Sequence, residues 1–224
     1  MNFFELINLT LQELNYKPVS TFSDLIKPDH KKLVTIVSRV NDILLDSCSW
    51  DFLLRELSLD VPAGAERVSL PFNMKIQSVE VDGRRLTFAD ACELFLSGNG
   101  APAYYSVFDE KLLLVPESKN RKLKILYITR NHAKNLAGEE IPKLVDGTDE
   151  TLLPDEHAQT ALVYGACVQF KSNPQHPKYR HWLDAFTTAR AQMFATREFV
   201  ADQPPKVELP RWTLGYDRYH GLSF

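Results

Sequence analysis

The residues best suited to chemistry are acidic. Glu139-Glu140 and Asp149-Glu150 form two carboxylate pairs in one irregular stretch, the residue types a glycosidase uses as acid and base. Their separation is not set by any regular element, and solvation of a surface loop is the favoured reading. Asp155-Glu156-His157 mixes carboxylates with an imidazole, but sequence neighbours on a helix point in different directions and do not converge on one substrate atom. As the start of a helix, the two acids complement its dipole. His176 and His181 lie five apart across a proline-led helix start, outside the i, i+4 spacing of a helical metal pair. Gly98-Asn99-Gly100 lacks the lysine and further glycines of a phosphate loop and reads as a turn. Lys31-Lys32 and Arg121-Lys122-Leu123-Lys124 are basic clusters without the interleaved aromatics of a strand-binding groove, and read as solubilising faces. No catalytic residue, metal site or cofactor is expected.

A different chemistry is concentrated at the C-terminus, where Trp212, Tyr216, Tyr219 and Phe224 stand among prolines, with Arg211 and Arg218 beside them. Ordering residues 201–224 costs on the order of 24–48 kcal/mol of backbone entropy, and each buried aromatic returns only about 1.5–3 kcal/mol. The segment cannot order itself. Chain ends are commonly disordered, yet disordered tails are poor in aromatics, and Trp, Tyr and Arg are enriched where interfaces concentrate their binding energy. Arg211, Trp212, Tyr216, Arg218, Tyr219 and Phe224 are therefore expected to bind a partner.

The elements around these residues follow from periodicity. Phe3, Ile7, Leu11 and Leu14 recur at helical spacing, ended by Lys17-Pro18, and Pro28-Asp29 opens a longer helix to about Cys48, with Trp50 and Phe52 as core anchors at its exit. Leu57, Leu59 and Val61 then alternate with polar residues as a strand. Residues 66–70, 76–81, 111–115 and 122–129 are further strands, with Asp82-Gly83 as a two-residue hairpin turn. Thr87 is expected to cap a short helix to Ser97. Residues 131–153, with Gly138, Pro142 and Gly147 and no period, read as a long surface connection. Pro154 starts an alanine-rich helix, and Pro177 starts a final one to about Phe199, with Tyr179, Trp182, Leu183, Phe186, Ala189 and Met193 on one face. The expected fold is α+β. Residues 1–54 and 154–200 make a discontinuous bundle of about four helices, 55–130 an inserted, mostly antiparallel β unit, 131–153 a connecting loop and 201–224 an extended C-terminal tail.

The chain of 224 residues, 44% hydrophobic and 25% charged, can bury a core without metals or disulfides. Cys48, Cys92 and Cys167 are odd in number and widely spaced, suiting reduced thiols. Without a basic start, a cleavage site or an apolar run near 18 residues, the chain is expected to be soluble, made in the cytoplasm and not membrane-bound. The net charge of −3 does not recommend tight nucleic-acid binding.

Residues 5–24, with Lys17-Pro18-Val19-Ser20-Thr21 as their turn, resemble the opening of podophage head-to-tail adaptors, the tail tubular protein A family. Ser49-Trp50-Asp51-Phe52 is similar to the tryptophan exit of that family, and Val68-Ser69-Leu70-Pro71 to its Leu-Pro strand end. Leu112-Leu113-Leu114-Val115-Pro116 and Leu153-Pro154-Asp155-Glu156 continue the pattern in the same order. The resemblance covers residues 3–195. It implies a non-enzymatic virion protein that forms a ring, usually a dodecamer, between the portal protein and the tail nozzle protein, with double-stranded DNA passing through. It also implies that the C-terminal tail grips the portal. A small tail-associated peptidoglycan hydrolase using the loop carboxylates and a nucleic-acid-binding module are the alternatives.

Overall fold

The computed structural model describes residues 1–71, 74–90 and 104–195. The fold is α+β, with a β unit inserted in the chain between two helices that precede it and two that follow it. Helix α1, Phe3–Glu13, buries Phe3, Leu6, Ile7, Thr10 and Leu11, the i, i+3, i+4, i+7 stripe of an amphipathic helix. Asn2 and Glu5 form a reciprocal capping box, with Glu5 N donating to Asn2 Oδ1 at 2.8 Å and Asn2 N to Glu5 Oε2 at 3.1 Å. Asn15, at φ 61°, ends the helix. Asn8 then fixes the Pro18-Val19 turn by pairing both backbone groups of Val19 at 3.0 and 3.1 Å.

Helix α2, Pro28–Asp46, has proline in its first turn and buries Leu33, Val37, Val40, Asn41, Leu44 and Leu45. Beyond it the Trp50 indole donates to Leu44 O at 2.9 Å and stacks on Phe52 at 5.6 Å, so Trp50 plugs the helix end as expected. Helix α3 is continuous but mixed: a first turn Asp155–His157, a π-helical stretch Ala158–Leu162 and an α-helical run Val163–Phe170. Helix α4, Tyr179–Ala195, buries Trp182, Ala189 and Met193, while Leu183, expected on the same face, is exposed. These four helices share one core.

At Gly165 side chains of α2 and α4 press directly on α3, since an added Cβ would stand 2.9 Å from both Val40 Cγ1 and Phe186 Cε2. Gly165→Ala is expected to lower stability by about 1–3 kcal/mol despite alanine's better helix propensity, because the added methyl overpacks a three-helix contact. The midpoint of urea unfolding reads this, and an unchanged or raised midpoint would show that the contact gives way freely.

The β unit is a sandwich. One sheet, ordered β1-β8-β3-β4, contains β1 (Leu54–Val61), β8 (Arg121–Thr129), β3 (Met74–Val81) and β4 (Arg84–Arg85). The other, ordered β2-β7-β6-β5, contains β2 (Arg67–Ser69), β7 (Lys111–Leu114), β6 (Tyr104–Phe108) and β5 (Thr87–Phe88). Val61, Val79, Val81, Leu123 and Ile125 of the first sheet meet Leu112, Leu114 and Tyr105 of the second in a separate core. Asp82 and Gly83 link β3 to β4 with φ of 49° and 78°, the doubly positive pair a two-residue hairpin turn requires.

Two expectations are corrected. Thr87 does not cap a helix, because Thr87–Phe88 is a strand paired in parallel with β6 and Ala89 N donates to Tyr105 O; residues 91–97 of the expected helix, and Gly98 to Gly100, lie outside the described residues. Residues 131–153 are not simply a surface loop. They carry β9 (Ala133–Lys134), β10 (Glu140–Ile141) and β11 (Glu150–Thr151), a small sheet ordered β10-β9-β11, and they bury His132, Ala133, Leu144, Asp149, Thr151 and Leu153. This strap also completes α1. Its carbonyls at Asp149 and Gly147 accept the free amides of Phe3 and Phe4 at 2.7 and 3.0 Å, groups that a helix cannot satisfy from within.

Candidate functional site

Most of the carboxylates that sequence singles out are engaged in structural bonds. Glu140 Oε1 accepts from Arg55 Nε at 2.7 Å, while Arg55 Nη1 donates to Phe52 O and Leu54 O. Glu139 accepts from Asn135 Nδ2 at 2.9 Å within a turn. Asp149 is buried, and its Oδ2 accepts from the amides of Val145 and Asp146 at 2.8 and 2.7 Å. Glu150 is exposed, opposite Lys134 in the small sheet. Asp155 accepts from the Met1 amino group at 2.6 Å, and Glu156 lies 3.4 Å from His157 Nε2.

His176 and His181 make separate ring contacts. His176 stacks on Trp182 at 5.0 Å, and His181 meets Tyr164 edge-on at 5.7 Å. Burial, then the nearby Glu13 carboxylate, pushes the Cys167 thiol up to about 12, which makes it inert as a nucleophile. Cys48 is half-buried, and Cys92 lies outside the described residues. The basic cluster also divides: Lys122 and Lys124 are exposed, whereas Arg121 is only 2% exposed. Arg211, Trp212, Tyr216, Arg218, Tyr219 and Phe224 lie outside the described residues.

What the fold does bring together is His132 with α2. Asp42 and Asp46 stand one turn apart on that helix, and His132, at the start of the strap, lies between them. Its Nδ1 is 2.8 Å from Asp42 Oδ1 and its Nε2 is 3.2 Å from Asp46 Oδ1. The backbone is tied as well. Asn41 Nδ2 donates to His132 O at 3.1 Å, and Asn41 Oδ1 accepts from Thr151 Oγ1 at 2.6 Å, so one buried amide fastens both ends of the strap. Burial, the largest single influence on the ring, disfavours its charge. The hydrogen bond to Asp42, the Asp46 and Asp42 charges and the hydrogen bond to Asp46 together outweigh it and hold His132 above the ordinary 6.5.

The cluster opens onto a cleft of about 820 Å³ at the junction of helices and sandwich, lined by Asp42, Asp46, His132 and by the cations Lys75, Arg130 and Lys143. Both nitrogens of His132 are already paired with carboxylates. Neither is left to bind a metal or to take a proton from a substrate. Among the described residues, no group of three His, Cys, Asp or Glu side chains is placed to hold a metal ion. The arrangement is a charged fastening between two parts of the chain.

Comparison with protein-family models and with curated proteins finds no match to this chain. The fastening was not visible in the sequence, because His132 lies 90 residues from Asp42. Only the i, i+4 spacing of Asp42 and Asp46 on an expected helix was available as a signal.

The second surface feature is on the sandwich. Phe88, Tyr104, Val107 and Phe108 of β5 and β6 are exposed, Phe108 to 64% and Phe88 to 55%. Beside them runs a cleft of about 420 Å³ lined by Leu70, Pro71, Met74, Ile76, Phe88, Tyr105 and Val107 together with the charged Glu110 and Arg130. Clustered exposed apolar side chains are the usual mark of a binding surface.

Proposed function

We propose that this protein is a structural adaptor of a virion, joining the capsid portal to the tail nozzle as one subunit of a ring through which double-stranded DNA passes. The observation that carries the reading is the order of parts along the chain. A short helix, the Asn8-clamped Pro18-Val19 turn, a long helix ended by Trp50, an inserted β unit and an alanine-rich helix pair follow one another as the adaptor resemblance implies. In this reading the helices pack side by side around the ring. The sandwich, with its exposed Phe88, Tyr104 and Phe108, faces the nozzle or the outer surface. The tail docks on the portal.

The electrostatics agree with a conduit. Twelve copies at −3 each carry about −36, and a lumen that gripped phosphates would hold back the genome it must release. The hydrolase reading gains no support, since Glu139, Glu140 and Asp149 are held by structural bonds.

Removal of residues 201–224 tests the tail. The truncated protein is expected to keep its circular dichroism spectrum and to lose portal binding at least about tenfold, because the aromatic and arginine anchors go with it. Unchanged affinity for the portal would exclude the tail as the docking segment. Size-exclusion chromatography with and without portal tests the ring, whose subunits are expected to assemble on the portal. A stable ring without portal would refute assembly on that template, and a protein that never joins a portal complex would refute the adaptor reading.

A further inference from the structure

His132 begins the strap immediately beyond β8, and the strap is what couples the sandwich to the helices. It caps α1 through Gly147 and Asp149, accepts from Ser38 Oγ at Leu144 O at 3.1 Å, and pairs Glu140 with Arg55 of β1. A neutral imidazole carries one N–H and one lone pair, so it can satisfy only one of two flanking carboxylates. The other would then face a lone pair at hydrogen-bond distance, which is repulsive. Two carboxylates at 2.8 and 3.2 Å therefore describe a ring that donates from both nitrogens.

We infer that Asp42, His132 and Asp46 form a proton-operated latch, which fastens the strap to α2 while His132 is doubly protonated and loosens the junction of helices and sandwich when one proton leaves. The proton that leaves is the one on Nε2, passed to solvent. Its partner Asp46 makes the longer bond and has a side chain 67% exposed, so it is free to turn outward, whereas Asp42 keeps the shorter bond to Nδ1. The charged groups on the ring itself are Asp42 and Asp46 from α2, and the cleft onto which it opens is lined further by Lys75 from β3, Arg130 just beyond β8 and Lys143 from the strap. The direction follows from the raised proton affinity of His132. The latch is closed in full below the ordinary 6.5 and is released as pH rises through the higher value of the folded protein. This inference stands independently of the adaptor reading.

Hydrogen exchange of the intact protein, followed by mass spectrometry from about pH 6 to about pH 9 and corrected for the intrinsic rate, reads the latch directly. The amides of His132 and Leu152 are expected to lose protection on the alkaline side by up to about tenfold per unit of upward displacement, while those of β8 serve as an unaffected control. His132→Gln is expected to abolish the step, and Asp46→Asn to move it to lower pH. Should His132→Gln fail to fold, Asp46→Asn still decides the matter, together with nitrogen-15 spectra of the wild-type ring. Titration of His132 at or below 6.5, an alkaline step that survives in His132→Gln, or a step unmoved by Asp46→Asn would each overturn the latch.

Discussion

Replacing Trp182 by alanine is expected to cost about 3–5 kcal/mol, the range for deleting a fully buried large aromatic and leaving its cavity. Trp182 is wholly buried and is one of only three buried side chains on α4, with Ala189 and Met193. Its ring is stacked on His176, and its indole N–H points to Glu13 Oε2 of α1 at 3.4 Å. It is the main anchor by which the last helix is held to the first. With whole-domain stabilities of about 5–15 kcal/mol, such a loss removes a large part of the margin. Urea unfolding followed by circular dichroism measures it, and Trp182→Phe, which keeps a ring in the site, is expected to cost clearly less. A loss below about 1 kcal/mol in Trp182→Ala would mean that the site collapses without penalty and that α4 is held elsewhere.

Arg121 is the second large expectation, and its size depends on the replacement. The guanidinium is buried between the two loops that close one end of the sandwich, where Nη1 donates to Val115 O at 2.9 Å and Nη2 to Ala65 O at 3.4 Å. Its Nε has no partner among the described residues, and no carboxylate there pairs with it. A buried charge balanced only by carbonyls carries a desolvation penalty that a hydrophobic side chain of similar volume avoids. Arg121→Ala is expected to destabilise by about 3–5 kcal/mol, combining a cavity with two stranded carbonyls. Arg121→Met fills the space and is expected to cost far less, within about 1–2 kcal/mol of the wild type. Lysine cannot span the two loops with a planar fork, so Arg121→Lys should resemble alanine more than methionine. If methionine proved as damaging as alanine, the charge itself would be the stabilising feature.

The two replacements probe parts of the fold that sequence reveals unequally. The helices and most strands were legible because each rests on local chemistry. The spacing of Phe3, Ile7, Leu11 and Leu14, the proline at the start of α2 and the alternation of Leu57, Leu59 and Val61 each declare themselves within a few residues. So does the turn at Asp82-Gly83. Strand β6 was not recognised, because Tyr104 to Phe108 has no clear alternation of apolar and polar residues. Strand β5 reads in sequence as a helix start because a threonine followed by acids imitates a cap. The strap was misjudged for a deeper reason: Leu144, Asp149 and Leu153 are buried against elements far away in the chain, and no period connects them. Phe3 meets Asp149 across 146 positions, and Asn41 meets Thr151 across 110. Arg121, read as part of a solvated basic run, is buried because the loops at 62–66 and 115–120 fold over it, which composition does not encode. The His132 cluster was hidden in the same way, since each member is an ordinary residue of its own segment.

The interruption of the helical core by the sandwich also sets a timetable for synthesis. Leu54 pairs with Ile128, so the sandwich has all its strands once β8 has emerged from the ribosome and can close on its own core. The first two helices must wait for Trp182 and Met193, which complete their core only some 140 residues after Leu54. At roughly 5–20 residues per second, that leaves the apolar faces of α1 and α2 uncovered for roughly 7–28 s. During that interval the nascent chain is most exposed to aggregation and most suited to a chaperone.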